Sequence, residues 1–194
     1  MAANDATPMM RIAVTPPDIM EDEPRRIMAI LDAGWDKVHL RHPSATLSEM
    51  RRLIEAIPQR MHGRLRLHGH VELLNEFNLG GIQLNSRCPV PPTNYTGRYS
   101  RSCHTVEETR ATTECDYVTL SPIFDSISKQ GYHSEFRKED FAVLPTGKVI
   151  ALGGVTPDNT ATLRQYPFAG YAVLGYLFGV PFDEFARRLQ QFDN

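Results

Sequence analysis

The stretch Asp116–Tyr132, DYVTLSPIFDSISKQGY, sets Ser121, Ser126, Ser128 and Lys129 within a few residues of one another. Three hydroxyls and an ammonium just past a short apolar strand suit an anionic ligand such as a phosphate or diphosphate. Asp125 is the one carboxylate nearby. Read blandly, Lys129 is a solvated loop lysine. A second anion-binding pattern follows in VIALGG, where Gly153 and Gly154 precede a cap at Thr156 and Pro157 at the first position of a helix. Glycines there let a phosphate approach backbone N–H groups, although such a pair also simply makes turns. Gly175 offers similar access after the last strand.

Two further side chains carry chemistry. Arg41 ends a strand, where its planar fork suits a phosphate, the alternative being an ion pair with a helix carboxylate. His104, in RSCHTVEE, follows a strand directly and can move a proton each way near neutral pH. Thr105 and Glu108 form a capping-box pattern that accounts for that segment without catalysis. Cys103 points the other way by strand parity, which argues against a Cys–His nucleophile. His39, His68, His70 and His104 are the residues that could gather a transition metal, but scattered histidines more often make single hydrogen bonds.

Positioning these residues falls to short apolar strands that alternate with helical stretches. The strands read as Arg11–Thr15, Lys37–Arg41, Leu65–His68, Gly81–Asn85, Arg98–Ser102, Tyr117–Ser121, Lys148–Gly153 and Gly170–Gly175. Helical patterns lie at Pro24–Ala33, Leu47–Ile57, Val71–Phe77, Val106–Thr113, Pro157–Gln165 and Phe182–Phe192. Phe136–Leu144 allows a short helix, and Asn85–Gly97, with three prolines, allows little. The fold class is α/β, a compact single-domain (β/α)8 TIM barrel with a degenerate helix after strand 4. A doubly wound open sheet is the alternative. Residues 1–9 read as a disordered tail and residues 10–194 as the barrel.

Parity places Ile12, Val14, Val38, Leu40, Leu65, Leu67, Ile82, Leu84, Val118, Leu120, Ile150, Leu152, Ala172 and Leu174 toward the helices. The opposite face carries Ala13, Thr15, His39, Arg41, Arg66, His68, Gln83, Asn85, Ser100, Ser102, Thr119, Ser121, Ala151, Gly153, Val173 and Gly175, which predicts a polar lumen. The strand ends, where barrels bind ligands, then present Thr15, Arg41, His68, Asn85, Ser102 with His104, Ser121–Lys129, Gly153–Gly154 and Gly175.

The 194 residues carry a formal net charge of -2, so no nucleic-acid footprint is visible. The apolar runs are strand-sized, too short to span a membrane. Three cysteines, Cys88, Cys103 and Cys115, make no disulfide framework, which fits a cytoplasmic protein.

These motifs, in this order, resemble the thiamine phosphate synthase/TenI superfamily of (β/α)8 barrels. The likeness runs from VHLRHPSAT through LHGHVELLNEFNLGGIQLN, SCHTVEE and CDYVTLSPIFDSISKQGY to YAVLGYLF. SPIFDSISK is similar to the family's GP-x-x-x-T-x-T-K loop, and ALGGVTPDN to its A-x-GG-x-x-x-x-N. The resemblance implies that Gly153, Gly154 and Gly175 hold a thiazole phosphate. It puts Arg41, Ser102, Ser126, Ser128 and Lys129 where the family grips a diphosphate and the reacting centre, with His68 lining the substrate site.

The departures from the family pattern bear on the activity. Gln-x-Arg-x-Lys after strand 2 reads His39-Leu40-Arg41-His42-Pro43, the Asn-Asp after strand 3 reads His68-Gly69, and the aspartate after strand 4 falls at Cys88. Those two acids normally carry Mg²⁺. TenI-like relatives lose similar groups, need no metal and use a histidine where His104 stands, although true synthases can also carry one there.

Three readings follow. A TenI-like thiazole tautomerase would use His104 to move a proton, with Arg41 or Lys129 near the substrate carboxylate. A thiamine phosphate synthase would join hydroxymethylpyrimidine diphosphate to thiazole phosphate, with Ser102 and Lys129 assisting loss of diphosphate and Mg²⁺ held by substrate and water. A non-catalytic sensor would bind the phosphate ligand alone. No resident cofactor or protein-held metal is expected, and any oligomer is expected to be a homodimer.

Overall fold

A computed structural model describes residues 8–125 and 136–193. Eight parallel strands close into a barrel in sequence order: β1 Met10–Val14, β2 Lys37–Leu40, β3 Leu65–Leu67, β4 Ile82–Leu84, β5 Tyr99–Cys103, β6 Val118–Leu120, β7 Val149–Leu152 and β8 Gly170–Val173. The barrel closes where Met10, Arg11, Ile12 and Ala13 of β1 pair with Gly170, Tyr171, Ala172 and Val173 of β8. The open doubly wound sheet is therefore excluded.

Helices fill the crossovers: α1 Glu23–Asp32, α2 Leu47–Glu55, α3 Gln59–His62, α4 Leu73–Glu76, α5 Val106–Ala111, α6 Lys138–Ala142, α7 Pro157–Leu163 and α8 Phe182–Gln190. On α1, Ile27, Ile30 and Leu31 recur at helical spacing and are all buried. Each such side chain contributes about 1.5–3 kcal/mol of burial free energy. The connection from β4 to β5 has no helix and is pinned instead by an antiparallel bridge between Asn85 and Cys88, as its prolines predict. The short α3, tucked behind Pro58, has no counterpart among the helical patterns of the sequence.

The lumen differs from the parity expectation on three strands. Ile12, Val14, Ile150 and Ala172 form an interior cluster with Tyr117, and Met10, Leu152 and Leu174 pack on it. Ala13, Ala151 and Val173 face the helices instead. The two faces of β1, β7 and β8 are thus exchanged relative to the expectation. Both faces of a parallel barrel strand are buried, so apolarity alone does not say which side is which. On β2, β3, β5 and β6 the parity holds: Val38, Leu40, Leu65, Leu67, Cys103, Val118 and Leu120 join the outer core. The lumen is polar on the side of β2 to β6 and apolar on the side of β8, β1 and β7.

Candidate active site

Arg41 follows β2 directly, and its backbone is fixed on both sides. Its N–H donates to Thr15 Oγ1 at 2.9 Å. The next residue, His42, is buried with Nε2 2.7 Å from Glu23 Oε1, and the other Glu23 oxygen accepts from Met20 N at 3.1 Å. Thr15 Oγ1 also lies 3.1 Å from His42 Nε2. This buried cluster ties the β1 and β2 ends to the start of α1. The Arg41 guanidinium, half-buried, makes no hydrogen bond or ion pair among the described residues. The ion pair that the sequence allows for Arg41 is absent among them, which leaves a held cation at the barrel mouth able to take an anion.

His68, just past β3, meets His39, which in turn meets Tyr117, a residue that the sequence pattern does not bring forward. Its Nε2 is 2.9 Å from His39 Nδ1, and His39 Nε2 is 2.6 Å from the Tyr117 hydroxyl. Burial pushes His39 well below the ordinary imidazole value, with His68, Arg66 and Lys37 adding in the same direction. It pushes His68 down to about 3, aided by Arg41, His42 and Arg66. Both rings are therefore neutral at physiological pH. Burial raises the Tyr117 phenol to about 12.

Below this line the lumen stays polar. Gln83 Nε2 donates to Ser102 Oγ at 3.0 Å and to Thr119 Oγ1 at 3.2 Å, while Ser100 Oγ donates to Gln83 Oε1. Ser102 is thus a receiver within a packed network, with its own hydroxyl hydrogen left to donate. Arg66, fully buried, pairs with Asp116 Oδ2 at 2.7 Å and lies 4.7 Å from the Tyr117 ring centre.

His104 stands exposed after β5. Thr105 Oγ1 accepts from Glu108 N at 3.1 Å, as a capping box requires. The reciprocal bond differs: Glu108 Oε2 accepts from His104 N at 2.5 Å, one residue before the cap. The segment's local chemistry therefore fixes the His104 backbone. Its side chain turns to the β6 end, where Nδ1 donates to the Ser121 carbonyl at 3.2 Å. In the neutral ring that bond puts the proton on Nδ1, and Nε2 has no partner among the described residues. Cys103 is buried in the outer core, and burial lifts its thiol to about 11, so it is no nucleophile partner.

Gly153 (φ +98°) and Gly154 (φ +64°) bring the β7 end hard against the β6 loop. Ile123 N donates to Leu152 O at 2.9 Å and Phe124 N to Gly153 O at 3.1 Å. Asn159, in the first turn of α7, accepts from Thr156 N at 3.0 Å and donates to Gly154 O at 2.9 Å. Gly175 lies in a single turn in which Leu177 and Phe178 N–H return to Leu174 O. The N–H groups of Gly154 and Gly175 find no acceptor among the described residues. Ser126, Ser128 and Lys129, with the Gln130–Glu135 loop, lie outside the described residues, as does most of the N-terminal tail. A cavity of about 690 Å³ opens at the opposite end of the barrel, beside Lys37, Gly63, Gly80 and Arg98, away from these groups.

A family model described as thiamine monophosphate synthase matches residues 12–177. The chain belongs to the thiamine phosphate synthase/TenI family. A thiamine phosphate pyrophosphorylase from Bacteroides thetaiotaomicron is 33% identical over 95% of this chain and 96% of its own, with a TM-score of 0.85. Another from Pyrococcus furiosus, 16% identical over 95% and 94% with a TM-score of 0.75, shows the shared fold. So does a geranylgeranylglyceryl phosphate synthase from Thermoplasma acidophilum, in complex with sn-glycerol-1-phosphate, at 11% identity over 95% and 91% and a TM-score of 0.64. A comparison with curated proteins finds no match.

The family's Mg²⁺ positions do not fit that ion in this chain. His68 offers an imidazole bonded to His39, Gly69 offers no side chain, and Cys88 offers a thiol that burial raises. Mg²⁺ takes oxygen ligands. Among the described residues no group of three His, Cys, Asp or Glu stands close enough to hold a metal. His39 and His68 meet, but through each other's ring nitrogens. Tyr117 is the residue of this site that the sequence pattern marks only as the start of a strand. Its one signal is a lumen-facing position shared with Thr119.

Proposed function

We propose that this protein is a cytoplasmic thiazole tautomerase of the TenI kind, acting on a thiazole carboxylate phosphate. The observation that carries the reading is the His104–Ser121 bond. It orients an exposed imidazole with Nε2 free at the barrel mouth, the requirement for a general base that becomes a general acid. In the reaction a proton leaves a ring carbon for His104 Nε2, and its bonding pair enters the conjugated system. The imidazolium then returns the proton at the other end of that system, leaving the aromatic ring. Arg41 holds the carboxylate, and the N–H groups of Gly154 and Gly175 with the Ser126–Lys129 loop hold the phosphate. None of these steps requires a metal, in keeping with the residues at the family's Mg²⁺ positions.

The second reading is a thiamine phosphate synthase, supported by the 33% identical pyrophosphorylase and by the family description. Ser102 and Lys129 would then assist loss of diphosphate. One assay separates the two. The protein is mixed with hydroxymethylpyrimidine diphosphate, thiazole phosphate and Mg²⁺, and thiamine phosphate is measured. Formation at ordinary enzymatic rates rejects the tautomerase-only reading. Conversion of the non-aromatic thiazole tautomer without thiamine phosphate supports it, and binding of thiazole phosphate with neither activity leaves the sensor.

A further inference from the structure

The end of the barrel opposite the mouth holds a second concave site. The crossover from β4 to β5 carries no helix, and α4 is a single turn. The ring of helices is therefore thin beside the N-terminal ends of β2 to β5, and the cavity of about 690 Å³ opens there. That volume is of the size that holds small organic molecules.

Two cations line the cavity, Lys37 at the start of β2 and Arg98 just before β5, and no carboxylate does among the described residues. Both backbones are fixed. Lys37 pairs with Ile12 in the sheet. Arg98 O accepts from Ile82 N at 3.1 Å and from the Tyr95 hydroxyl at 2.9 Å. Neither cationic side chain has a hydrogen bond or ion pair among the described residues. The carboxylates nearby are already engaged: Asp116 Oδ2 accepts from buried Arg66 at 2.7 Å, and Asp36 Oδ2 from Arg11 N at 2.7 Å. Burial pushes the half-buried Lys37 ammonium below its ordinary value, and the charges of Arg66 and Arg98 add to this against those of Asp116 and Asp36. A bound anion would offset that cost. The rest of the lining is mixed, with Leu74, Leu79 and Tyr95 apolar and Asn75 and Asn78 able to donate and accept.

We propose that this end of the barrel is a second ligand site that takes a small organic phosphate, its phosphate group between Lys37 and Arg98 and its uncharged body against Leu74, Leu79 and Tyr95. Two cations from different strands, with no acid between them, suit a doubly charged head. The site is separate from Arg41, Gly154 and Gly175, which stand at the C-terminal ends of the strands, and it does not depend on which reaction runs there.

The test is an amide NMR titration of the ¹⁵N-labelled protein with phenyl phosphate, inorganic phosphate, phenol, and sodium chloride at matched ionic strength. Phenyl phosphate is expected to shift the amides of Gly63, Gly80 and Gly97, which line the cavity, to saturation. Inorganic phosphate should bind there more weakly, and phenol and chloride should leave these amides in place. No saturation with phenyl phosphate, or equal shifts with chloride, overturns the proposal; equal affinity for inorganic phosphate overturns the part that gives the ligand an organic body. Arg98→Gln and Lys37→Gln should each raise the Kd at these amides about tenfold to a hundredfold. An unchanged Kd overturns the proposal, and either variant decides it if the other does not fold. Saturating this end should leave phosphate binding at the Gly154 and Gly175 amides unchanged, and displacement from them would overturn a separate site. Shifts at Gly63, Gly80 and Gly97 with none at Gly154 and Gly175 would support this site while rejecting the phosphate role given to the mouth.

Discussion

His104 Nδ1 lies 3.2 Å from the Ser121 carbonyl oxygen, so the end of β5 and the end of β6 together aim one imidazole. The backbone of His104 is held independently by Glu108. An exposed ring with two anchors contributes little to stability and much to geometry. His104→Ala is therefore expected to lower tautomerase kcat by about 10²- to 10⁴-fold while moving stability by no more than about 0.5 kcal/mol. Steady-state kinetics with a thermal melt on the same sample checks both; a full rate in the mutant removes His104 from the mechanism.

Arg41 gives a second expectation. Its backbone is fixed by Thr15 and by the buried His42–Glu23 pair, while the guanidinium is unpaired among the described residues. A hydrogen bond to a charged group contributes about 1.5–3 kcal/mol. Arg41→Ala should thus weaken binding of the anionic substrate about tenfold to a hundredfold, read as Kd by calorimetry. Arg41→Lys should recover only part, because a point charge does not replace a planar fork. Full recovery by lysine would show that charge alone is recognised there.

The strands could be read from the sequence because β-branched and leucine-rich runs are bounded by glycine, proline and charged turns, and each lies within two residues of its expected limits. The closed order follows from the alternation with helices. What could not be read is which face of β1, β7 and β8 lines the lumen, since Ile12 and Ala13 are both fully buried and either could face inward. The contact of His68 with His39 depends on the β2–β3 register, in which His39 sits opposite Arg66 and Leu40 opposite Leu67. Tyr117 reaches His39 across the barrel, over 78 residues of sequence. Neither contact has a local signature. Arg41 and His104 could be singled out because each stands immediately after a strand.

Gly154 tests the packing between the β6 and β7 ends. Its φ is +64°, and a Cβ there would come within 2.3 Å of Asp125 O and 2.8 Å of Phe124 Cβ. A non-glycine residue in this region costs about 1–3 kcal/mol from the backbone alone, and the contact with a carbonyl adds to it. Gly154→Ala should lower Tm by about 3–10 °C for a chain of this size. Gly147, at φ +77° with nothing within 4 Å of an added methyl, is the control: Gly147→Ala should show only the smaller backbone part. Equal losses at the two positions would mean that the approach of the β6 loop to Gly154 is not needed.

Buried neutral histidines make stability depend on pH in a fixed direction. Unfolded imidazoles titrate near about 6.5, whereas folded His39 lies well below that and folded His68 at about 3. Between those limits the unfolded chain binds protons that the folded chain does not. Their contribution is therefore complete above about pH 6.5 and is lost as pH falls toward 3. The slope is at most about 1.4 kcal/mol per pH unit for each ring, and less for His68, whose ring water partly reaches. Urea unfolding at pH 7, 6 and 5 should show stability falling with pH, and His39→Gln, which deletes one of the two groups and leaves every other histidine in place, should show a shallower fall. Equal slopes in the two proteins would mean that His39 is not held neutral inside the barrel.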